Sequence, residues 1–480
     1  MKNKSIAKNT IVYTIRIITS MIFPLITFPY ISRILSPEGI GEYNFSSSVI
    51  SYFSLLAGLG ISTYAIREGA KVRDNKEKLE KLAQEMFTIN IISTFVAYLL
   101  FIIVINVVPS FKDYRMILFI LSLALPLSML GTEWIFSIYE DYTYITIRSI
   151  AFQIISLILM FIFVKDKGDV NVYAIITVIS NAGTNIFNFT YAKKYFRHKF
   201  VLSKNLIMHL QPIFILFASA IASQVYINLD TTMLGIVKGN YDVGLYSAAT
   251  KIYNIVRSLL TAFITVITPR LTYYFSQRQK NNEYNKLLKS SLNGYAAIVF
   301  PAGIGIFCIS RQALLLIAGQ EYVQASLSLK ILGIALIFST LGSYVANEVL
   351  IISGQERKIL LATITGATVN FLGNIILIPY LSYVGAALTT LIAEIIVFGM
   401  QIHFAKRYLR IVDYLDSLIK MMVSCVPMII ISSIIESYNF YYIVQILLII
   451  IFAVFTYAIM MIIMHHEIVN IVVNYIKNRK

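Results

Sequence analysis

Seven charged side chains stand inside stretches that are otherwise apolar: Arg16, Glu133, Asp230, Lys251, Arg257, Glu348 and Glu394. An ionised group within hydrocarbon costs at least a few kcal/mol, so each needs a partner, an aqueous hollow or a task. Lys251, Asn254 and Arg257 recur at every third position, so neighbours in the series share a helix face that drifts slowly round the axis. Lipid cannot be what that face sees. Guanidinium groups grip phosphate as a fork, and a dry cavity strengthens the attraction. The plainer alternative is that these cations pair with Glu394 or Asp230. Arg16 precedes FPLITFP, whose Pro24 and Pro29 should kink the helix and loosen it beside a cavity.

The acids divide by depth. Glu394 has apolar neighbours on both sides deep within its run, which calls for a cavity or a basic partner. Asp230, in an NLD triplet before a turn region, is either a local cap or a functional acid. Glu133 and Glu348 lie near the ends of their runs, where snorkelling, pairing with loop lysines and a transport role are all open. Asn181, Thr184, Asn185 and Asn188 follow at i, i+3, i+4 and i+7, a polar stripe. It either ties helices together or meets a hydroxyl-rich ligand through amide donors and acceptors.

The elements that must hold these residues are membrane helices. Of 480 residues 58% are hydrophobic and only 13% charged, and the mean hydropathy is +0.75, more apolar surface than a soluble core can use. Runs long enough to cross about 30 Å of hydrocarbon recur throughout. Breaks at Pro, Gly and charge clusters place spans near 10–32, 40–66, 83–108, 115–139, 143–164, 170–192, 206–233, 241–268, 289–316, 325–352, 357–380, 383–405, 417–436 and 440–464. The basic start MKNKSIAKNT leads into a retained first span, since no cleavage site of small residues is evident. With this count 29 of the 40 Lys and Arg fall on the side of the N-terminus and eight on the other, which makes both termini cytoplasmic. Arg148 is counted there with the inner-side charges. The net charge of +16 is then topological and serves an anionic leaflet, not nucleic acid. Cys308 and Cys425 are packing residues. No G-x-x-x-x-G-K-[ST] and no H-E-x-x-H occurs, so neither ATP hydrolysis, a zinc site nor any other cofactor is expected.

The chain echoes itself. Gly41-x-Tyr43 in EGIGEYNF returns 203 residues later as Gly244-x-Tyr246 in YDVGLYSA, and Glu133 with Glu140 is answered by Glu348 with Glu356. An even number of spans per unit keeps both copies in one orientation. The expected fold is an all-α polytopic membrane protein of about 14 transmembrane helices: two six-helix bundles, 1–200 and 201–410, related by a pseudo-two-fold along the membrane normal. Two further helices and a cytoplasmic tail follow in 411–480.

The runs NLDTTMLGIVKGNYDVGLYSAATKIYNIV (228–256), EWIFSIYEDY (133–142), LSPEGIGEYNFSSSVISYF and NEVLIISGQERK resemble the Wzx-type polysaccharide repeat-unit flippases of the multidrug/oligosaccharidyl-lipid/polysaccharide exporter superfamily, over essentially the whole chain. The resemblance implies a bacterial cytoplasmic-membrane carrier that is not an enzyme. It would move undecaprenyl-diphosphate-linked oligosaccharide outward by alternating access, beside the polymerase and glycosyltransferases of its pathway. It implies a cationic cavity with Arg16 and Arg257 as counterparts. Members commonly carry Gln-Gly where this chain has Ser137-Ile138. On that reading Arg16, Lys251 and Arg257 hold the diphosphate, with Asn254 on the same face, and Asn181, Asn185 and Asn188 meet sugars. Asp230 and Glu394 couple to a proton or sodium gradient, and Glu133 and Glu348 gate the inner side by pairing with loop cations. Two rivals are a multidrug exporter, which should prefer an acidic aromatic cavity for cationic cargo, and a membrane-embedded polymerase, which needs a substantial outer loop.

Overall fold

The computed structural model describes residues 6–277, 281–409, 412–438 and 440–469; Lys2 and Lys4, Lys280 and the tail cations Lys477, Arg479 and Lys480 lie outside them. The described residues are mostly helical, joined by turns and short irregular segments, with no strand among them. Twelve helical stretches among them are long and apolar enough to cross a bilayer. The first, Thr14–Lys71, runs 58 residues and the tenth, Glu356–Ala405, runs 50, lengths of about 87 and 75 Å against about 30 Å of hydrocarbon.

Each of these long stretches contains one non-helical serine where two helices meet, and the first breaks again at left-handed Leu59 and Gly60. In α1 (Ile6–Gly58) the residue is Ser36, with φ 58° and ψ 175°. Pro37 follows it, and a proline disfavours helical dihedrals in the residue before it. Phe23 and Phe28 precede Pro24 and Pro29 in the same way yet keep helical dihedrals, so the chain does not break there. In α14 (Glu356–Ala405) the residue is Ser382, with φ 51° and ψ −131°. A further left-handed residue, Gly239 with φ 92°, separates α10 (Asn205–Val237) from α11 (Asn240–Ser276). Ser36 and Gly239 stand 203 residues apart, the same offset as Gly41 and Gly244. The sequence echo thus extends to backbone conformation.

Two compact units divide the chain, Met1–Gly244 and Leu245–Lys480. In the first, α3 (Lys76–Val107), α7 (Tyr142–Phe163) and α10 all pack on α1. Between them run α2 (Ile61–Lys71), then α4 (Arg115–Ser122), α5 (Ala124–Gly131) and α6 (Glu133–Ile138) as one interrupted stretch. Another interrupted stretch joins α8 (Val170–Val178) to α9 (Thr184–Ala192) through a wide π turn at Ile179–Gly183. The compact division falls after Gly244, whereas the sequence period divides the chain at 200. The two differ because α10 packs on α1, α2 and α3.

In the second unit α12 (Asn281–Ile317) and α14 flank α13 (Ser326–Val345), which continues into a π turn at Ala346–Ile351. The terminal helices α15 (Val412–Ser424), α16 (Val426–Ser437) and α17 (Tyr442–Ile463) pack on α12. Cys308 and Cys425 are both buried and free, in one apolar cluster with Met428, Ile449 and Ala453.

Candidate functional site

The element EWIFSIYEDY is anchored by its apolar members. Trp134, Ile135, Phe136 and Ile138 are buried in one core with α2, α3 and the segment after α9. Thr132, left-handed at φ 39° and ψ 34°, ends α5 and restarts the chain as α6 with Glu133 first. Glu133 therefore leaves a helix end while the rest of its turn is fixed. Its Oε2 lies 3.2 Å from Arg16 Nη2 and its Oε1 3.1 Å from Arg148 Nη2. Both cations are on helices, α1 and α7, so Glu133 on α6 makes an interhelical bridge in place of the loop-lysine pairing expected for it. The other acids of the element are also spoken for. Glu140 takes Arg73 at 2.7 Å, and Asp141 accepts from Tyr191 at 3.1 Å and Tyr195 at 2.5 Å.

A cavity of about 790 Å³ opens at this bridge, lined by Arg16, Glu133, Arg148, Gln153, Ser149 and Asn181 among others. Asn181 also lines two neighbouring hollows of about 380 and 460 Å³. The π turn at Ile179–Gly183 explains why the asparagine stripe does not act as one face. A wider turn shifts the phase of everything after it. Asn181 is exposed to all three hollows and Asn185 lines one, but Asn188 is fully buried and donates to Asn185 Oδ1 at 3.2 Å. Asn188 is helix glue, and lines none of these hollows. Opposite Asn181 runs a series that the sequence reading passed over, Ser47, Ser51, Ser54 and Ser62 on α1 and α2. Its signal was available: serines at i, i+4 and i+7 in an apolar span. Ser137 lines the large cavity, and Ile138 is core.

Asp230, on α10 in the first unit, is buried, and Thr232 two residues on shares a hydrogen bond with the Tyr52 phenol at 3.1 Å. In the second unit the Lys251–Asn254–Arg257 series lies on α11, with Asn254 exposed and both cations partly buried. The Arg257 guanidinium stands 6.0 Å from the Tyr253 ring centroid, and Tyr253 donates to Ser339 at 2.9 Å. Glu394, 5% exposed, and Arg257 both act electrostatically on that phenol. Glu348 lies in the π turn after α13, fully buried, and accepts a hydrogen bond from Thr268 through Oε1. No cation bridges it among the described ion pairs, so it does not share the arrangement of Glu133. A buried polar knot spans the two halves of α14: Thr389 donates to Asn374 at 2.5 Å, and Asn374 to Asn370 at 3.2 Å. Two asparagines four residues apart in an apolar run announce it.

Comparison with known proteins accords with this layout. A curated relative, the putative O-antigen transporter of Escherichia coli (strain K12), is 24% identical over 405 residues, covering 84% of this chain and 97% of its own. The capsular polysaccharide biosynthesis protein CapF of Staphylococcus aureus is 24% identical over 395 residues, 78% of this chain and 93% of its own. Among solved structures, the lipid II flippase MurJ in an inward closed conformation shares the fold, with a TM-score of 0.76 at 16% identity over 96% of this chain and 100% of that one. Residues 6–275, more than half the sequence, match the family described as Polysaccharide biosynthesis protein, and the chain belongs to that family.

Proposed function

We propose that the chain is a flippase that carries polyprenyl-diphosphate-linked oligosaccharide repeat units across the bacterial cytoplasmic membrane for surface polysaccharide synthesis, by alternating access. The observation that carries the reading is Arg16 held on a helix at the 790 Å³ polar cavity of the first unit; the second unit carries Lys251 and Arg257, partly buried on α11. An anionic head is the cargo that such a set serves, and a cationic drug is not. The exposed amide of Asn181 and the serines facing it supply the neutral donors and acceptors that sugars need.

Within this reading Arg16, Lys251 and Arg257 contact the diphosphate. Asp230 and Glu394 couple movement to a proton or sodium gradient, since a carboxylate that changes charge biases one conformation over another. The two double helices α1 and α14 each cross twice, giving fourteen crossings with both termini cytoplasmic. The carrier works beside a polymerase and glycosyltransferases and forms no bond itself. The test is Arg257→Ala in a strain that depends on this chain. Surface polysaccharide should be lost while membrane abundance stays unchanged, and normal polysaccharide would remove Arg257 from the site.

A further inference from the structure

The guanidinium pair beside the large cavity already holds an anion, and that anion is a side chain. Glu133 gives one oxygen to each cation, at 3.2 Å to Arg16 and 3.1 Å to Arg148. These single contacts leave Arg148 poorly satisfied. Its side chain is 8% exposed, and its Nε and Nη1 meet no hydrogen-bond partner among the described residues. A guanidinium offers five N–H donors in a fixed fork, and leaving buried donors idle is unfavourable. A group with more oxygens than a carboxylate would engage them.

Exposure shows which group can leave. The Glu133 side chain is 40% exposed, Arg16 29% and Arg148 8%. The carboxylate is the most accessible of the three, and it stands at the start of a helix just after left-handed Thr132. Among the described residues no other acid lines the cavity, whose remaining polar lining includes Ser20, Ser62, Gln153 and Asn181. With Glu133 in place two cations face one negative charge. A monoanion gains nothing by replacing it, whereas a group with two or more negative charges does.

We propose that Glu133 is a built-in stand-in for phosphate: it seats Arg16 and Arg148 in the empty carrier and is displaced when a diphosphate enters, which makes Arg148 the buried half of the anion site. This rests on the proposed function only for the source of the diphosphate. Glu133 then screens out singly charged solutes and keeps two like charges apart while no ligand is bound. Its displacement exposes the idle donors of Arg148 at the moment of binding.

The experiment uses the full chain in nanodiscs of uncharged phosphatidylcholine at low salt, with inorganic pyrophosphate and farnesyl diphosphate as probes in calorimetry. Glu133→Gln keeps the shape and removes the competing charge, so pyrophosphate should bind roughly tenfold more tightly. Arg148→Ala should weaken binding at least about tenfold, and Arg148→Lys, which keeps charge without the fork, should fall between. Unchanged or weaker binding in Glu133→Gln overturns the proposal even if Arg148→Ala fails to fold. Acetate competing as well as pyrophosphate also overturns it. If pyrophosphate follows the expected pattern and farnesyl diphosphate does not compete, the anion site stands and the lipid-carrier reading falls.

Discussion

At the scale of single residues, burial and partner chemistry decide what each polar group can do. His198 illustrates this outside the membrane-spanning helices. Its ring packs on Phe87, Phe189 and Phe196, with centroids at 5.2, 4.1 and 4.5 Å. Burial first, and the charge of Lys193 second, pushes the imidazole down from 6.5 to about 4. Between those values an unfolded chain takes up a proton that the folded one refuses, so stability is complete above pH 6.5 and declines as pH falls toward 4. Thermal unfolding in detergent should show the midpoint falling over that window, and His198→Phe should remove part of the slope; an unaltered slope would mean that other groups set it. Glu85 is a second case. Buried on α3, it accepts from Ser203 at 2.7 Å and contacts His209 at 3.1 Å, while His209 shares a proton with Tyr64 at 2.8 Å. This knot joins α2, α3 and α10, and replacing Glu85 by Ala should cost about 1–3 kcal/mol of stability through the partners it strands. Neither residue stands out in the sequence. Glu85 follows a run of charged residues and His198 stands near lysines; the role of Glu85 arises from Ser203 and His209, more than 100 residues away, and His198 needs Phe87 at a similar separation to complete its aromatic surround.

At the scale of elements, the sequence was informative wherever a local rule governs the backbone. Span positions followed from apolar length, and Gly41 and Gly244 followed from their repeated context. Their use is a close approach: a Cβ on Gly41 would run into the Asn240 carbonyl, and one on Gly244 into the Pro37 carbonyl. The start of α11 and the segment after Ser36 are thus pressed together at both glycines. Gly41→Ala and Gly244→Ala should each sharply reduce surface polysaccharide, and because both disrupt one contact the double variant should be little worse than either single one. Additive losses would show two independent roles. What local rules could not reveal was phase. The π turns at Ile179–Gly183 and Ala346–Ile351 insert extra width that apolar periodicity does not signal. That is why the asparagine stripe read as one face although it divides into a cavity-lining Asn181 and a buried Asn188. Arg148 was missed for a different reason: counted with the inner-side charges, it lies in α7 and meets Glu133 where left-handed Thr132 turns α6.

At the scale of the whole molecule, the disposition of positive charge and the double helices make one joint demand on topology. If α1 with α2 crosses twice, Lys8 and Lys76 must lie on one side of the membrane. If α14 crosses twice, Arg357 and Lys406 must do so as well. On the charge bias all four are expected on the cytoplasmic side, because a chain that crossed once in either stretch would carry its later Lys and Arg clusters to the opposite face. The left-handed residues Ser36 and Ser382 are where each chain direction can reverse. Single cysteines at these four positions, in a background with Cys308 and Cys425 replaced by Ala, should resist an impermeant maleimide in intact cells and react after permeabilisation. Cysteines at Arg33 and Tyr380, close to the two breaks, should react from outside. Opposite labelling within either pair reduces that stretch to one crossing and reverses the orientation of everything after it. The alternation of 29 inner against eight outer cations would then lose its physical basis.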